Sequence, residues 1–170
     1  RPLTGPAAVP LLDGVPGIGP TVAEVLIAEV GTDMSRFPSA AHLASWAKVA
    51  PGNHESAGKR TSGKTGRGSR WLRSALIQAA WAAVRVKESH FAQVYRRLVV
   101  RCGPKRAIMA VAQRLLIAVY HMLLKQEPYR EPDPSDQEER RQARQVRQWR
   151  HQLEQHGYQV TPLPQVAGAP

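Results

Sequence analysis

From Val9 to Gln126, apolar residues recur at three- and four-residue spacing, the period of helices that bury one face. "VPLLDGVPGIGPTVAEVLIAEVG" reads as short helix, tight turn, helix, with Pro20 suited to the first helical position and Gly31 to the end. Val22, Val25, Leu26 and Val30 give the second helix its apolar stripe. Ser39 caps a third helix, "AAHLASWAKV", which Pro51 stops. "RWLRSALIQAAWAAVRVKE" carries a stripe of Leu72, Leu76, Ala79, Ala83 and Val86. "FAQVYRRLVVRC" follows; Gly103 and Pro104 then break the chain and start the next helix. In that helix Ile108, Val111, Leu115, Val119 and Met122 line one face, and the run from Leu115 to Val119 is apolar all round, which marks it as central. Alternating runs of β-branched residues between tight turns are poor throughout. The expectation is an all-α fold: a compact multi-helix domain at 11–126 with a helix-hairpin-helix-like element. A leader at 1–10, a Pro- and acid-rich linker at 127–134, a protruding charged helix at 135–157 and a flexible tail at 158–170 complete it. Ala143, Val146, Trp149 and Leu153 form only a narrow stripe on that last helix, which suits a coiled-coil seam or docking on another chain.

Charge narrows the partner. The chain has 170 residues, a net charge of +11 and a pI near 10.7, and the charge is clustered. A polyanion is the natural partner, most simply nucleic acid. The single cysteine, Cys102, has no second thiol and no metal-ligand spacing, so it reads as structural. With no signal peptide and no apolar run long enough to span a bilayer, the expected setting is cytoplasmic, without a membrane partner. The chain starts "RPLTGPAAVP" without Met and reads as a fragment.

"GKRTSGKT", Gly58 to Thr65, has the spacing of a phosphate-cradling loop of nucleotide hydrolases. Such a loop must follow a buried strand, whereas "GNHESA" precedes this one and no magnesium-partner Asp follows, so an ATPase is not expected. What remains is a glycine-laced cationic segment. Lys59, Arg60, Lys64, Arg67, Arg70 and Arg73 fall close together with no acid among them, and the following helix entry adds unpaired N–H groups. These suit a phosphodiester backbone held without reading its sequence. A second candidate is the hairpin turn, where Gly17 and Gly19 would offer N–H groups to phosphates and Ile18 would pack inward. Trp46, Trp71 and Trp81 offer stacking, but on helices they read first as core. His54 reads as an exposed loop histidine. No acidic metal cluster is found; capping and surface roles suit Asp13, Glu24, Glu29 and Asp33. A non-enzymatic nucleic-acid-binding helix-hairpin-helix module is the alternative to an enzyme. A base-excision glycosylase would have Asp33 alone as its catalytic acid.

Four blocks, "PGIGPTVAEVLIAEVG", "RFPSAAHLASWAKVAPG", "HESAGKRTSGKTGRGSRWLR" and "AIMAVAQRLLIAVYHML", stand in the order of those in one known domain. From about Leu12 to Leu124 the chain resembles the C-terminal domain of transposases of the insertion-sequence 110/116/902 family. The tail "RQVRQWRHQLEQHGYQVT" resembles the ending of actinobacterial members. The resemblance implies DNA cleavage and rejoining in transposition. It implies a ribonuclease-H-like N-terminal domain whose acids bind magnesium, and a serine in the C-terminal domain that attacks the phosphodiester. For some members it implies a guide RNA. Carried over, the serine falls on Ser56 in "SAGK", with Ser62 second and Ser69 third. The family usually has Gly where Lys48 stands and Lys-Gly-Asn where Arg67, Gly68 and Ser69 stand. Bacterial, nucleoid-associated action follows from the same resemblance, as does association with a second copy or with the N-terminal domain.

Overall fold

The computed structural model describes residues 5–50, 54–56, 59–62 and 66–161, with backbone alone for 54–56, 59–62, 134–138, 140 and 141. In chain order its helices are α1 (Gly5–Asp13), α2 (Pro20–Val30), α3 (Ala40–Trp46), α4 (Arg70–Ala83), α5 (His90–Cys102), α6 (Pro104–Lys125) and α7 (Pro134–Gln155). A 3-10 turn, Met34–Arg36, precedes α3, and two short antiparallel strands, β1 (His54–Ser56) and β2 (Lys59–Ser62), lie between α3 and α4. The fold is all-α apart from that hairpin. The sequence showed no strand pattern there, because three- and four-residue strands carry too few side chains to display alternation.

Two units divide the chain, Arg1–Glu131 and Pro132–Pro170. In the first, α6 is the hub: α1, α3, α4, α5 and the 3-10 turn all pack against it. Its predicted stripe, Ile108 to Met122, is buried, and so are Ala112, Leu116 and Tyr120 on neighbouring positions. Burial on several sides explains why the sequence is apolar all round there. By length and composition α6 is also long and apolar enough to cross a membrane, which the sequence reading had not expected. More than half of its most apolar window is buried inside the helical unit, as befits a core helix. Gly103 serves both neighbours: at φ 77° it ends α5 and its carbonyl starts α6, with Pro104 at the first position.

Several boundaries differ from expectation. Residues 5–10, taken as leader, form most of α1, and Ala8 is in the core. The linker's first residues fold back on α5: Tyr129 stacks on Phe91 at 5.8 Å, and the Glu131 carboxylate accepts from the His90 N–H. Burial, then the neighbouring Glu131 charge, push the Tyr129 phenol well above its ordinary range. α3 stops at Trp46, before Pro51, because Lys48 takes a left-handed conformation (φ 56°). α4 stops at Ala83, so Val86 is exposed instead of completing the stripe. Serine caps supply the starts. The hydroxyls of Ser39, Ser69 and Ser89 accept from the N–H of His42, Leu72 and Ala92.

The turn between α1 and α2 is built on one glycine. Val15 N–H donates to Leu12 O and Ile18 N–H to Val15 O, and Ile18 is 2% exposed, facing the core. Gly17, at φ 86°, lies against the end of α4. A Cβ there would stand 2.3 Å from Ala79 O and 2.5 Å from Ala83 N, both backbone atoms that cannot swing aside. Gly19, at φ −93°, has open space where a Cβ would be. Gly17→Ala is therefore expected to destabilise the domain by about 2–4 kcal/mol, from overpacking plus left-handed strain. Gly19→Ala is expected to cost less than about 1 kcal/mol, the difference between Gly and Ala at a helix cap. Urea unfolding of the two variants checks this; equal losses would contradict it.

Candidate nucleic-acid interface

The cationic segment is anchored by glycines on one side and a capped helix on the other. Ser69 caps α4, its hydroxyl accepting from Leu72 N–H at 3.2 Å. Just before it, the chain runs tight against the end of α3. A Cβ on Gly68 would lie 2.7 Å from Ala47 O, and one on Gly66 would lie 3.0 Å from Lys48 Cδ. These two glycines serve close packing against the end of α3. Arg73 turns back and donates from Nη1 to Gly66 O at 3.2 Å, which ties the first turn of α4 to the segment leading into it.

Onto this frame the fold places Arg67 and Arg70, both exposed, and Arg73, partly buried. No carboxylate stands in the first turn of α4. Cations at the positive end of a helix oppose its dipole, and an anion placed there would relieve that opposition. Lys48 joins them: its aliphatic stem lies over Gly66 while the residue as a whole is exposed. Nothing local around Lys48 marks it as a site residue, since only the fold brings the end of α3 to the entry of α4. Trp71, expected in the core, is 67% exposed, and the Arg70 guanidinium sits 5.4 Å from its ring centre. Trp46 and Trp81 are also exposed, so the core expectation fails for all three; each stands where its helix turns to solvent.

The hairpin carries the remaining candidates. Its register pairs Ser56 with Lys59, Glu55 with Arg60 and His54 with Ser62, with an irregularity between His54 and Glu55. Ser56 thus occupies the register position opposite Lys59, one pair from Arg60. Lys64 lies outside the described residues, and so do the side chains of the hairpin. Ser69, the third candidate nucleophile, has its hydroxyl engaged as a cap.

The α1–α2 turn presents a different chemistry. Among the described residues neither the Gly17 nor the Gly19 N–H has a hydrogen-bond partner. The open hollow beside them, about 460 Å³, is lined by the turn with Asp13, Ala82 and Val86. It contains a carboxylate and no Lys or Arg, so it lacks the cations that surround α4's first turn. Asp33, the lone glycosylase candidate, caps the 3-10 turn. Its carboxylate accepts from the Ser35 hydroxyl at 2.7 Å and the Ser35 N–H at 3.0 Å, and these bonds hold its pKa below the ordinary carboxylate range. An exposed, committed cap does not suit a general base. No group of three or more His, Cys, Asp or Glu comes together among the described residues.

A helical domain with a short basic hairpin in the segment before a cation-rich helix start is the class of protein these features define. Residues 9–96 match the model of the Transposase IS116/IS110/IS902 family, and the chain belongs to that family. It is 31% identical over 116 residues to the "Insertion element IS110 uncharacterized 43.6 kDa protein" of Streptomyces coelicolor, covering 67% of this chain and 28% of that protein. It is 31% identical over 118 residues to the "Pilin gene-inverting protein" of Moraxella bovis, covering 68% of this chain and 36% of that one. The protein of the same name from Moraxella lacunata is equally similar over the same shares. The chain thus aligns with about a third or less of the length of these relatives.

The left-handed Lys48 gives a stability test. Gly accepts φ 56° without the Cβ penalty, so Lys48→Gly is expected to raise unfolding free energy by about 1 kcal/mol. A thermal melt checks it; a lowered midpoint would mean that the stem's packing over Gly66 outweighs the backbone strain.

Proposed function

We propose that this chain is the DNA-holding, serine-bearing part of a transposase that cuts and rejoins DNA strands. Family membership supports the transposition chemistry, and the inverting function in the name of the Moraxella relatives supports recombination. The observation that carries the site is the grouping of Lys48, Arg67, Arg70 and Arg73 at the start of α4, with the Ser56–Lys59 pair on the hairpin that leads to it. Backbone contacts of this kind position a duplex without reading its sequence. Gly17, Ile18 and Gly19 take a smaller part: the two glycine amides are free for phosphates, and Ile18 holds the turn from inside.

In this reading the Ser56 Oγ attacks a DNA phosphorus. The P–O bond to one strand end breaks, the departing oxygen leaves as a hydroxyl, and the serine proton is taken up as it leaves. Rejoining reverses the step: a strand hydroxyl attacks the phosphoserine and frees Ser56. Lys59, Arg60 and Arg70 offset the charge that develops on the phosphate. A serine hydroxyl is a weak nucleophile and needs an activating group. The resemblance assigns magnesium to the acids of a ribonuclease-H-like domain, and the described residues of this chain bring no such ligand set together. A guide RNA, cytoplasmic nucleoid-associated action, and pairing through the exposed Val146, Trp149 and Leu153 of α7 belong to the same reading. The last would join α7 to a second copy or to the ribonuclease-H-like domain.

Two outcomes follow. The full-length protein with its element DNA is expected to give a covalent adduct on a denaturing gel, absent in Ser56→Ala. An undiminished adduct would remove Ser56 from the chemistry. For the chain itself, Arg67→Gln with Arg70→Gln is expected to weaken duplex binding and reduce the slope of log K against log salt by about 2. An unchanged slope would remove both arginines from the interface.

A further inference from the structure

A second run of one-sided charge lies beyond the hairpin and α4. From His90 to Lys125 the chain carries seven Lys and Arg and no Asp or Glu. α5 and α6 pack against each other, joined only by Gly103, so these charges fall on one helical pair. Arg96, Arg97, Arg101, Lys105, Arg106 and Arg114 are all exposed, and none is ion-paired among the described residues.

The arrangement works against the fold's own stability at two places. On Arg114, burial first, and then the Arg97 charge from α5, lower the pKa. Lys105 and Arg106 stand in the first turn of α6, which has no acid, where they oppose the helix dipole. Arg101, in the last turn of α5, and Lys125, in the last turn of α6, are placed where the dipole favours them. Val100, 87% exposed, lies among them and adds no polar partner. Packing against the core does not call for these cations, since the core stripe of α6 is on its other positions. A polyanion laid along the pair would turn each of these repulsions into attraction.

We propose that the exposed face of the α5–α6 pair is a second nucleic-acid surface, which takes a phosphodiester backbone on Arg97, Arg101, Arg106 and Arg114. It shares no residue with the hairpin and α4 start, and it does not depend on Ser56. A polymer, not a small anion, fits it. The charges follow two adjacent helices, and a row of phosphates can meet several of them at once.

The test uses the full chain and fluorescence anisotropy with two probes, a labelled DNA duplex and a labelled RNA hairpin, each over a salt series. Arg97→Gln, Arg101→Gln and Arg106→Gln are combined in one variant. A control removes three charges elsewhere, Arg36→Gln, Arg85→Gln and Lys87→Gln. The α5–α6 variant is expected to bind at least one probe about tenfold or more weakly, with a salt slope smaller by about 2–3. The control is expected to lose no more than about threefold through its net charge alone. A loss with DNA identifies the backbone as DNA, and a loss confined to the hairpin identifies it as RNA. Losses no larger than the control's with both probes would overturn the proposal. Single Arg97→Gln gives a folding check that a structural arginine would not pass: its melting midpoint is expected to stay level or rise, because a like-charge neighbour of Arg114 is removed. If it falls, Arg97 serves the fold, and the surface assignment is overturned there.

Discussion

Helix α4 is held at both ends by backbone that comes too close for a side chain to intervene. At its far end Gly17 lies against Ala79 and Ala83; before its start Gly68 lies against Ala47. These two contacts fix α4 between the α1–α2 pair and the end of α3, and its buried stripe then rests on α6. Everything proposed for the interface depends on that placement. Arg70 and Arg73 point from the first turn of α4, Arg73 ties back to Gly66, and Lys48 arrives from α3 only because Gly66 and Gly68 let it. Rigid support of this kind suits a surface that must hold a charged backbone beside a reactive group.

The charges are distributed in a way that folding alone does not favour. Basic residues crowd the first turns of α4 and α6, where a helix prefers acids, and the charge of Arg97 disfavours that of Arg114 on the α5–α6 pair. By contrast the α1–α2 turn, whose glycines first suggest phosphate binding, is paired with Asp13 and with no cation in its hollow. Where an anion offsets existing repulsion, binding gains twice: from attraction and from relief. That favours the α4 start over the glycine turn as the principal contact, and it sets α5–α6 apart from an ordinary solvated surface.

Much of the helical plan was legible because it rests on local rules. The Ser39 cap, Pro20 and Pro104 at first positions, the Gly31 and Gly103 ends and the α6 stripe each follow from a few adjacent residues. What escaped was non-local. The hairpin strands are too short to alternate. Lys48 looks like the last turn of a helix until its backbone is seen in the left-handed region. The three tryptophans look like core until the helix faces are known. Gly17 could be recognised as a turn glycine, but the reason no other residue fits there lies more than sixty positions away, in the backbone of α4. The candidate serine came from resemblance alone, and its hairpin register opposite Lys59 is the structural contribution to it.

The central claim is that the hairpin and the start of α4 hold DNA. Its most direct test is a DNA titration of the isotopically labelled chain followed by amide NMR. The largest shift changes are expected to include residues 54–62 and 66–73 together with Lys48, whatever occurs on α5 and α6. If those amides stay in place while DNA is bound, the claim is contradicted.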